Sequence, residues 1–458
     1  MAKRLEDLAP QGLLDRARDA GNLVEHVSRV RILCHYDPDG TTSAAILARA
    51  LMRQGKRVHA TMSHALDAAT VEHVKAEPNE LLLVSDMGSA QLDLLEAMPF
   101  PVVVLDHHKP LRDSERVVHV NPHLFGIDGA REMCGATTTW LFALSLDEAN
   151  WDLAGMAAAG AIGDKQDVGG FVGVNAALFT EAVERKILVP EHRLALRDRP
   201  LGQALALSIS PYFRGIGGRP DAAETFLRSA GIDPAATLRQ LDATQRRHLT
   251  SVLATRLVEQ GAAPEALNVL VEDRYWIEPD QIYAQDLEAY VNSCDRFEQM
   301  GLGMSVCLGD REAIVKAESL LDQYTTRVLE HLRKLETEGM FAKKHVQFFY
   351  CEEPSLAGSV AGAGIQFYFD QSKPVFGLSV MEKQTKISAR GTRPQIARGI
   401  DLATACREAA ESVGGDGGGH NIASGATIPK GKEEKFLGLV DDLVGRQSSR
   451  DVTSGSPD

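Results

Sequence analysis

Blocks of apolar and polar residues along the N-terminal part of the chain predict strands that alternate with helices. The segment VRILCHYDPDGTTSAAILARALMRQG, which starts at Val30, combines a short apolar run, a polar turn and an amphipathic helical pattern ending near Gly55. Two further apolar runs, LLLV at 81–84 and VVVL at 102–105, are typical of fully buried strands. This alternation predicts an α/β fold with an open, doubly wound parallel sheet.

The pattern changes further along the chain and predicts a division into domains. A first domain is predicted over 1–310, with a helical insertion rich in Ala, Leu and Arg at about 175–300. A helical period over 311–339 predicts one connector helix, and 340–445 predicts a smaller C-terminal α/β domain. The strands predicted there span 345–351, 374–381 and 386–390. The polar, Ser-rich stretch 446–458 predicts a disordered tail.

Composition narrows the class of protein. With 458 residues, 44% of them hydrophobic and 24% charged, the chain is expected to form several globular domains. No apolar run approaches the roughly 20 residues that span a bilayer, and MAKRLEDLAP does not resemble a signal peptide, so we expect a cytoplasmic protein without a membrane segment. The cysteines form no CxxC pair, which argues against a zinc site. A net charge of -14 excludes indiscriminate coating of nucleic acid, so any such contact must be local.

Acidic and histidine residues follow each of the three predicted strands. They are found in the segments HYDPDG from His35, SD from Ser85 and DHH from Asp106, and Asp164 follows an Ala/Gly-rich helix. The carboxyl ends of parallel strands meet at one edge of a sheet, so these side chains are expected to converge. Each also fits a purely structural alternative: DPDG is a common turn, a lone Asp is a good helix N-cap, and His108 fits a buried histidine bonded to the backbone. Their recurrence at one edge favours a site for two divalent metals, and mixed Asp/His ligation favours Mn²⁺.

The C-terminal domain carries a second candidate site. Five glycines between Gly414 and Gly419 predict a loop whose backbone N–H groups approach an anion, with His420 as a further donor. A flexible loop after a helix is the structural alternative. The basic residues of the preceding stretch are Lys383, Lys386, Arg390, Arg393 and Arg398. Among them Arg390, with its planar guanidinium, is the best candidate to bind a phosphate group.

These motifs together resemble a known family. The segments HYDPDG, SDMG, LDHHKP and GDKQD occur in the order that identifies members of the DHH phosphoesterase superfamily. The segment GGDGGGHNIASGATIP, preceded by SARGT, resembles the GGGH motif and the substrate-contacting strand of the DHH-associated domain. The resemblance covers residues 25–440, and the pairing of domains is similar to archaeal RecJ-like single-strand exonucleases.

The resemblance implies roles for individual residues. The metal ligands that it implies are Asp37, Asp39, Asp86, His107 and Asp164, and these residues together with His108 form the implied catalytic set. His35 is either a further ligand or a neighbour of the ligands, and Asp106 is expected to orient the histidines. The implied substrate-binding residues are Ser388, Arg390, Gly417, Gly418, Gly419 and His420.

The function expected from this set is phosphodiester hydrolysis with two Mn²⁺ ions, Mg²⁺ being the alternative. The resemblance implies an exonuclease that acts on single-stranded DNA or RNA in replication or repair, with replication-complex proteins as partners. Hydrolysis of short oligonucleotides or cyclic dinucleotides is a second hypothesis, although the large insertion favours a polymeric substrate. A non-catalytic replication scaffold that binds helicase-associated proteins is a third, and the complete ligand set argues against it. The GGGH motif argues against an inorganic pyrophosphatase.

Overall fold

The computed structural model describes residues 3–449 and divides the chain into two compact units. The first unit extends to His192 and includes Asp273–Leu321, whereas the second comprises Arg193–Glu272 and the chain after Leu321. All six cysteines are buried and unpaired. Among the described residues, no helix combines the length and apolar character needed to cross a bilayer.

The first unit is built on a parallel sheet. Its strands are β1 (Arg29–His35), β2 (Arg57–Ser63), β3 (Leu81–Ser85), β4 (Val102–Leu105) and β5 (Val118–Val120). They lie in the order β2-β1-β3-β4-β5, and every pair of neighbours is parallel. Its helices up to the end of the sheet region are α1 (Gln11–Glu25), α2 (Pro38–Arg53), α3 (Ala68–Lys75), α4 (Leu92–Glu96), α5 (Gly135–Leu146), α6 (Ala154–Gly163) and α7 (Gly173–Glu184). The predicted α/β class is therefore confirmed.

Helices cover both faces of this sheet, which explains the continuous apolar runs. Successive side chains of β1 point to opposite faces: Ile32 and Cys34 pack with α1, α2, α5 and α6, whereas Leu33 packs with α3 and α4. Strands β3 and β4 are buried along their whole length. The two cores fix the sheet between two helical layers.

The strand order places a topological switch point between β1 and β3. The chain leaves β1 to form β2 on one side and returns to form β3 on the other side, with Cys34 paired to Ser85. Ligands of open α/β sheets bind outside the carboxyl ends of the strands at such a point. In this sheet that position is occupied by the residues that follow His35 and Ser85.

The middle of the chain departs from the predicted helical insertion. Its elements are β6 (Leu188–Leu194), α8 (Leu201–Ala206), α9 (Pro220–Ser229), α10 (Ala243–Glu259), β7 (Val271–Ile277), β8 (Ile282–Tyr283), α11 (Ala284–Arg296) and α12 (Met300–Cys307). Strands β6, β7 and β8 form a small sheet. Residues 193–272 belong to the second unit, so the predicted insertion at 175–300 is divided between the units.

The predicted connector is the helix α13 (Arg311–Glu338). The division between the units falls within this helix after Leu321, whereas the sequence predicts a domain boundary at 310. The helical period extends through both parts, so the sequence contains no sign of that division.

The second unit contains a six-stranded mixed sheet in the order β13-β14-β12-β11-β10-β9. Its strands are β9 (Phe341–Ala342), β10 (Gln347–Tyr350), β11 (Val375–Val380), β12 (Gln384–Arg390), β13 (Asp416–Gly419) and β14 (Ala423–Pro429). Its helices after the connector are α14 (Pro354–Phe367), α15 (Arg393–Ala397), α16 (Leu402–Glu411) and α17 (Glu433–Ser449). Only β10 and β11 pair in parallel. The three strands predicted in this part of the chain form β10, β11 and β12.

Two predictions for this unit are wrong. The glycine-rich segment is an edge strand and not a loop, because it pairs with β14 and lies against α16: a Cβ at Gly417 would lie 2.8 Å from the carbonyl oxygen of Cys406. The predicted tail begins inside a helix, because α17 continues through Ser449. The rest of the predicted tail, 450–458, lies outside the described residues.

Candidate metal centre

The turn after β1 holds the first carboxylate at the N-terminus of α2. Asp37 is the N-cap of this helix, and its Oδ1 accepts a hydrogen bond of 3.0 Å from the backbone N–H of Gly40. A Cβ at Gly40 would lie 2.2 Å from the carbonyl oxygen of His35, so only glycine fits there. The other oxygen, Oδ2, lies 2.9 Å from Nδ1 of His35. Asp37 therefore caps the helix with one oxygen and faces His35 with the other.

Asp39 is held by a different helix. It is 1% exposed, and its two oxygens accept hydrogen bonds from the backbone N–H groups of Gly135 (2.7 Å) and Ala136 (2.8 Å) in the first turn of α5. Orphan N–H groups and the positive end of the helix dipole stabilise a carboxylate at this position. A Cβ at Gly135 would lie 2.8 Å from Oδ1 of Asp86, so this glycine allows Asp39 and Asp86 to share the space.

Asp86 links two groups of side chains. Its Oδ1 lies 3.2 Å from Nε2 of His107, and its Oδ2 lies 3.6 Å from Nδ1 of His35. The residue is buried, and its φ of 56° lies in the left-handed region, which Asp and Asn tolerate better than most residues. Strained backbone of this kind occurs at functional sites because the surrounding structure holds it in place.

The ring of His107 is oriented by a backbone carbonyl. Its Nδ1–H donates a 2.8 Å hydrogen bond to the oxygen of Gly129, which also accepts from Nε2 of Gln166 at 2.8 Å. This bond directs Nε2 toward the carboxylates, 3.6 Å from Asp39 Oδ2 and 3.4 Å from Asp164 Oδ2. An imidazole fixed in this way presents its lone pair to a metal ion.

Asp106 orients the ring of His108 and not that of His107. Its Oδ1 accepts from Nδ1–H of His108 at 2.8 Å and from the backbone N–H of His107 at 2.8 Å, and its Oδ2 accepts from the N–H of Ser89 at 2.9 Å. Burial opposes ionisation of Asp106, but His108 outweighs it and lowers the pKa of the carboxyl. The side chain of His108 is 59% exposed, so the alternative of a buried structural histidine is wrong.

Asp164 ends α6 and does not begin a helix, so the N-cap alternative is wrong for this residue. A carboxylate near the C-terminus of a helix is unfavourable by roughly 0.3–1 kcal/mol, because the carbonyl groups there carry negative charge. His107 is the positive group beside it. Asp164 is thus a carboxylate at the C-terminus of α6, a position that helix stability alone would disfavour.

Two carboxyl groups and two imidazoles of this cluster hold their protons more tightly than usual when no cation is bound. Burial and repulsion from Asp86 raise the pKa of Asp39 to about 7, and burial with repulsion from Asp39 raises the pKa of Asp164 to about 7. Burial alone would lower the pKa of His35, but Asp37 and Asp86 raise it to about 10. For His107, burial is likewise outweighed, first by Asp86, and its pKa lies well above 6.5.

The cluster fits divalent metal ions. His35, Asp37 and Asp86 offer ligand atoms within 4.8 Å of one another, as do Asp39, His107 and Asp164, and a third such set contains Asp86, His107 and His108. Two buried atoms that face the cluster, Nδ1 of His35 and Oδ1 of Asp86, have no well-aligned hydrogen bond among the described residues, and their polar neighbours, Asp37 Oδ2 at 2.9 Å and Nε2 of His107 at 3.2 Å, are candidate ligands of the same cluster. Buried polar atoms without partners are rare in native proteins, and bound ions are one explanation. Nitrogen and carboxylate donors of this kind suit Mn²⁺.

The substrate-binding residues predicted for the C-terminal domain lie in the second unit, whereas the cluster lies in the first. Ser388 and Arg390 lie on β12, and Ser388 and Gly418 both pair with Gly425 of β14. The described residues place no acidic partner on the Arg390 guanidinium, whose hydrogen bond goes to the carbonyl of Ala389. Gly419 ends β13, and the exposed His420 follows it.

Several residues that shape the site escape sequence reasoning. Gly129 orients His107, Gly135 makes room for two aspartates, and Gln166 supports Gly129. Gly160 brings α6 against Asp39, because a Cβ there would lie 2.7 Å from Asp39 Oδ1. The small residues of AGAIGD and the Gln of GDKQD were visible in the sequence, but nothing there distinguishes close packing from ordinary helix composition.

Stability without metal should depend on pH. A group whose pKa is raised by folding binds more protons in the folded state, so the free energy of unfolding falls as pH rises between the two values. The relevant ranges are 3.8 to about 7 for Asp39 and Asp164, and 6.5 to about 10 for His35. His119, whose pKa is lowered by burial, opposes this trend.

In a chelator, we therefore expect the melting temperature to be lower at pH 8 than at pH 6. Mn²⁺ should raise the melting temperature more at pH 8, because metal ions compete with protons for these ligands. Scanning calorimetry at the two pH values, with EDTA or with Mn²⁺, measures both effects. A melting temperature in EDTA that rises from pH 6 to pH 8 would contradict this interpretation.

Comparison with known proteins identifies the family. A family model described as DHH family, N-terminal domain, matches residues 29–161, and one described as DHHA1 domain matches residues 347–446. An uncharacterized protein of Methanocaldococcus jannaschii is 32% identical over 439 residues, which cover 93% of this chain and 96% of that protein. The chain belongs to the DHH/DHHA1 phosphoesterase superfamily.

More distant proteins share parts of the sequence or the fold. The single-stranded-DNA-specific exonuclease RecJ of Thermus thermophilus is 29% identical over 305 residues, which cover 59% of this chain and 44% of RecJ. The structure of Thermus thermophilus RecJ in complex with Mn²⁺ has a TM-score of 0.59 at 21% identity and covers 96% of this chain and 55% of RecJ. CDC45 from Entamoeba histolytica has a TM-score of 0.62 at 11% identity over 96% of this chain and 98% of CDC45. This chain is thus a DHH-family phosphoesterase with a candidate divalent-metal site.

Proposed function

We propose that this protein hydrolyses phosphodiester bonds of single-stranded nucleic acid with two divalent cations, and that it removes nucleotides from an end of the strand. The observation that carries the proposal is the position of Asp86, whose two oxygens face different ligand groups. A carboxylate shared in this way is the arrangement that two-metal phosphoesterases need. Mn²⁺ is the proposed cation and Mg²⁺ the alternative, because RecJ structures are described in complex with each of them.

The residues of the chain have separate roles in this proposal. His35, Asp37 and Asp86 would hold one cation, and the second would be held by Asp39, His107 and Asp164, with Asp86 shared. Bound divalent cations neutralise the phosphodiester and make water a better nucleophile near neutral pH. The Gly129 carbonyl keeps Nε2 of His107 available as a ligand.

His108 is the proposed donor to a phosphate oxygen. Its Nδ1–H is engaged by Asp106, which raises the pKa of the ring, and more than half of its side chain is exposed. An imidazolium held by a buried carboxylate is a rigid, positively charged donor. The raised pKa favours the protonated ring, which is suited to binding an anion.

The second unit offers the proposed site for a backbone phosphate. Arg390 is half-buried without an acidic partner among the described residues, and burial lowers the pKa of its guanidinium. A desolvated cation of this kind gains from an anionic ligand, and the guanidinium fork matches two phosphate oxygens. Ser388 on the same strand, the glycines of β13 and His420 are the other proposed contacts.

Two features favour a single-stranded polymer over a small substrate. RecJ, the sequence relative named above, is described as specific for single-stranded DNA. The second unit also contains a six-stranded sheet with Arg390, which has no acidic partner among the described residues, and a small phosphoester would not require this additional site. A role in replication or repair, with replication-complex proteins as partners, is proposed from the RecJ and CDC45 likenesses.

The proposal is tested with an end-labelled 20-nucleotide DNA and its RNA equivalent, each labelled at either terminus and incubated with Mn²⁺. We expect a ladder of shortened products from at least one of them, and none in EDTA. Matching duplexes serve as controls and should be degraded much more slowly. Hydrolysis of dinucleotides or cyclic dinucleotides alone would replace the proposal by the small-substrate hypothesis. Inactivity on all substrates, with Mn²⁺ bound, would favour the scaffold hypothesis.

A further inference from the structure

A buried aspartate of α11 lacks a hydrogen-bond donor. Asp295 is 6% exposed, and neither of its carboxylate oxygens has a hydrogen-bond partner among the described residues. Burial of a carboxylate removes its hydration, and this cost is large when no donor or cation replaces the water. The position of Asp295 therefore requires a compensating positive charge or a bound proton.

Another aspartate of the same helix shows how the protein satisfies such a group. Asp286 is also buried, and the guanidinium of Arg274 lies 2.7 Å from its Oδ1. Glu288, one turn before Asn292, accepts a 3.1 Å hydrogen bond from that amide. Of these three buried acids on α11, Asp295 is the one for which the described residues supply no hydrogen-bond donor.

Packing places the end of α11 beside the N-terminus of α2. The two helices are in contact, and a Cβ at Gly303 of α12 would lie 3.5 Å from Cβ of Cys294 and 3.5 Å from Cγ2 of Thr41. Cys294 immediately precedes Asp295 in the chain. Thr41 donates a 3.1 Å hydrogen bond to the carbonyl of Tyr36, the residue between His35 and the N-cap of α2.

The electrostatic interactions of Asp295 also associate it with the residues at the N-terminus of α2. Burial and then repulsion from Asp37 raise the pKa of Asp295 to about 8, and the contribution of Asp37 exceeds that of Glu288 on the same helix. The charge of His35 lowers the pKa of Asp295. The pKa of the Cys34 thiol, near the end of β1, is raised first by burial and then by the charges of Asp86, Asp37 and Asp295. Asp295 thus lies within electrostatic range of His35 and Asp37.

We infer that Asp295 is a further carboxylate of this cation site and helps to hold the ion bound by His35, Asp37 and Asp86. The inference rests on the proposed two-cation function. It implies that the two ligand groups differ in their number of carboxylates. The ligand group that contains His35 gains an additional carboxylate, Asp295, which is supplied by α11. A divalent ion at this position would supply the positive charge that Asp295 lacks.

The test is a calorimetric titration of the metal-free protein with Mn²⁺, comparing the parent with Asp295→Asn. One of two binding steps should weaken by roughly 10- to 100-fold, the range observed when groups that support metal ligands are removed. Glu298→Gln is the control, because Glu298 is exposed and lies three residues further along the chain. It should change neither step by more than about twofold, because exposed charges are well screened.

The outcomes separate the inference from the proposed function. A parent protein that binds no Mn²⁺ would overturn both, whereas two Mn²⁺ ions bound equally well by parent and Asp295→Asn would overturn the inference alone. Circular dichroism and the melting temperature in EDTA report whether the variant folds. Asp295→Ser, which is smaller and also uncharged, replaces Asp295→Asn in the titration if the amide variant does not fold.

Discussion

Replacing Asp86 by Asn should remove Mn²⁺ binding from both ligand groups and lower kcat/KM on single-stranded oligonucleotides by roughly 10³-fold or more. The amide keeps the shape of the side chain and tolerates the φ of 56°, so the backbone should not change. It removes one negative charge that faces both His35 and His107. Loss of several kcal/mol of charge stabilisation corresponds to about three orders of magnitude in rate, at roughly 1.4 kcal/mol per factor of ten.

Asp93→Asn is the matched control for this experiment. Its side chain is 91% exposed and pairs with Arg112, so the same chemical change should alter kcat/KM by less than about twofold. Melting temperatures in EDTA show whether either variant is unfolded. An Asp86→Asn protein that degrades the oligonucleotide as fast as the parent would show that the cluster is not the catalytic centre.

Replacing Gly160 by Ala should displace α6 from the site and weaken Mn²⁺ binding together with folding. A Cβ at this position would lie 2.5 Å from Cβ of Ala136, 2.6 Å from Oγ1 of Thr42 and 2.7 Å from Oδ1 of Asp39. None of these neighbours can move aside freely, because Cβ of Ala136 is attached to its backbone, Oγ1 of Thr42 donates to the carbonyl of Pro38, and Oδ1 of Asp39 accepts from the N–H of Ala136. Overpacking of a buried site costs about 1–3 kcal/mol, which chemical denaturation measures directly.

Gly301→Ala tests whether the effect comes from crowding. Gly301 lies in helix α12 with nothing within 4 Å of a Cβ, so alanine should stabilise the protein by roughly 0.5–1 kcal/mol through helix propensity. A lower free energy of unfolding for Gly160→Ala and a higher one for Gly301→Ala would support the close packing of α6 against Asp39. A stabilised Gly160→Ala protein with unchanged Mn²⁺ affinity would contradict it.

The parallel sheet and the converging ligands were predictable because they depend on local patterns. The apolar runs of β3 and β4 are buried on both faces, and each is followed at once by polar residues. Parallel topology then brings the residues after each strand to one edge. Strand β2 does not show this pattern, because it lies at the edge of the sheet and is only partly buried.

Other features depend on long-range packing and leave no local signal. Glycines normally indicate a loop, but Gly417 and Gly418 form part of an edge strand, and at Gly417 helix α16 leaves no room for a side chain. The long period of α13 conceals a division between units after Leu321. Likewise, Asp295 resembles any polar residue of an amphipathic helix until its helix, α11, packs against α2.

The orientation of the two histidines could not be derived from the DHH triplet alone. Adjacent residues point in different directions, so one carboxylate rarely orients both rings. Asp106 binds the ring of His108, whereas Gly129, from a separate loop, binds the ring of His107. Sequence order gives the residue types of such a site, but the partner of each nitrogen atom follows only from the fold.

The most direct test of the metal centre is an anomalous difference map from crystals of the full chain soaked in Mn²⁺. Two peaks are expected in the first unit, one beside His35 and Asp37 and the other beside Asp39, His107 and Asp164, with Asp86 between them. A map with no peak at these side chains, or with Mn²⁺ bound only elsewhere on the molecule, would contradict the two-cation centre.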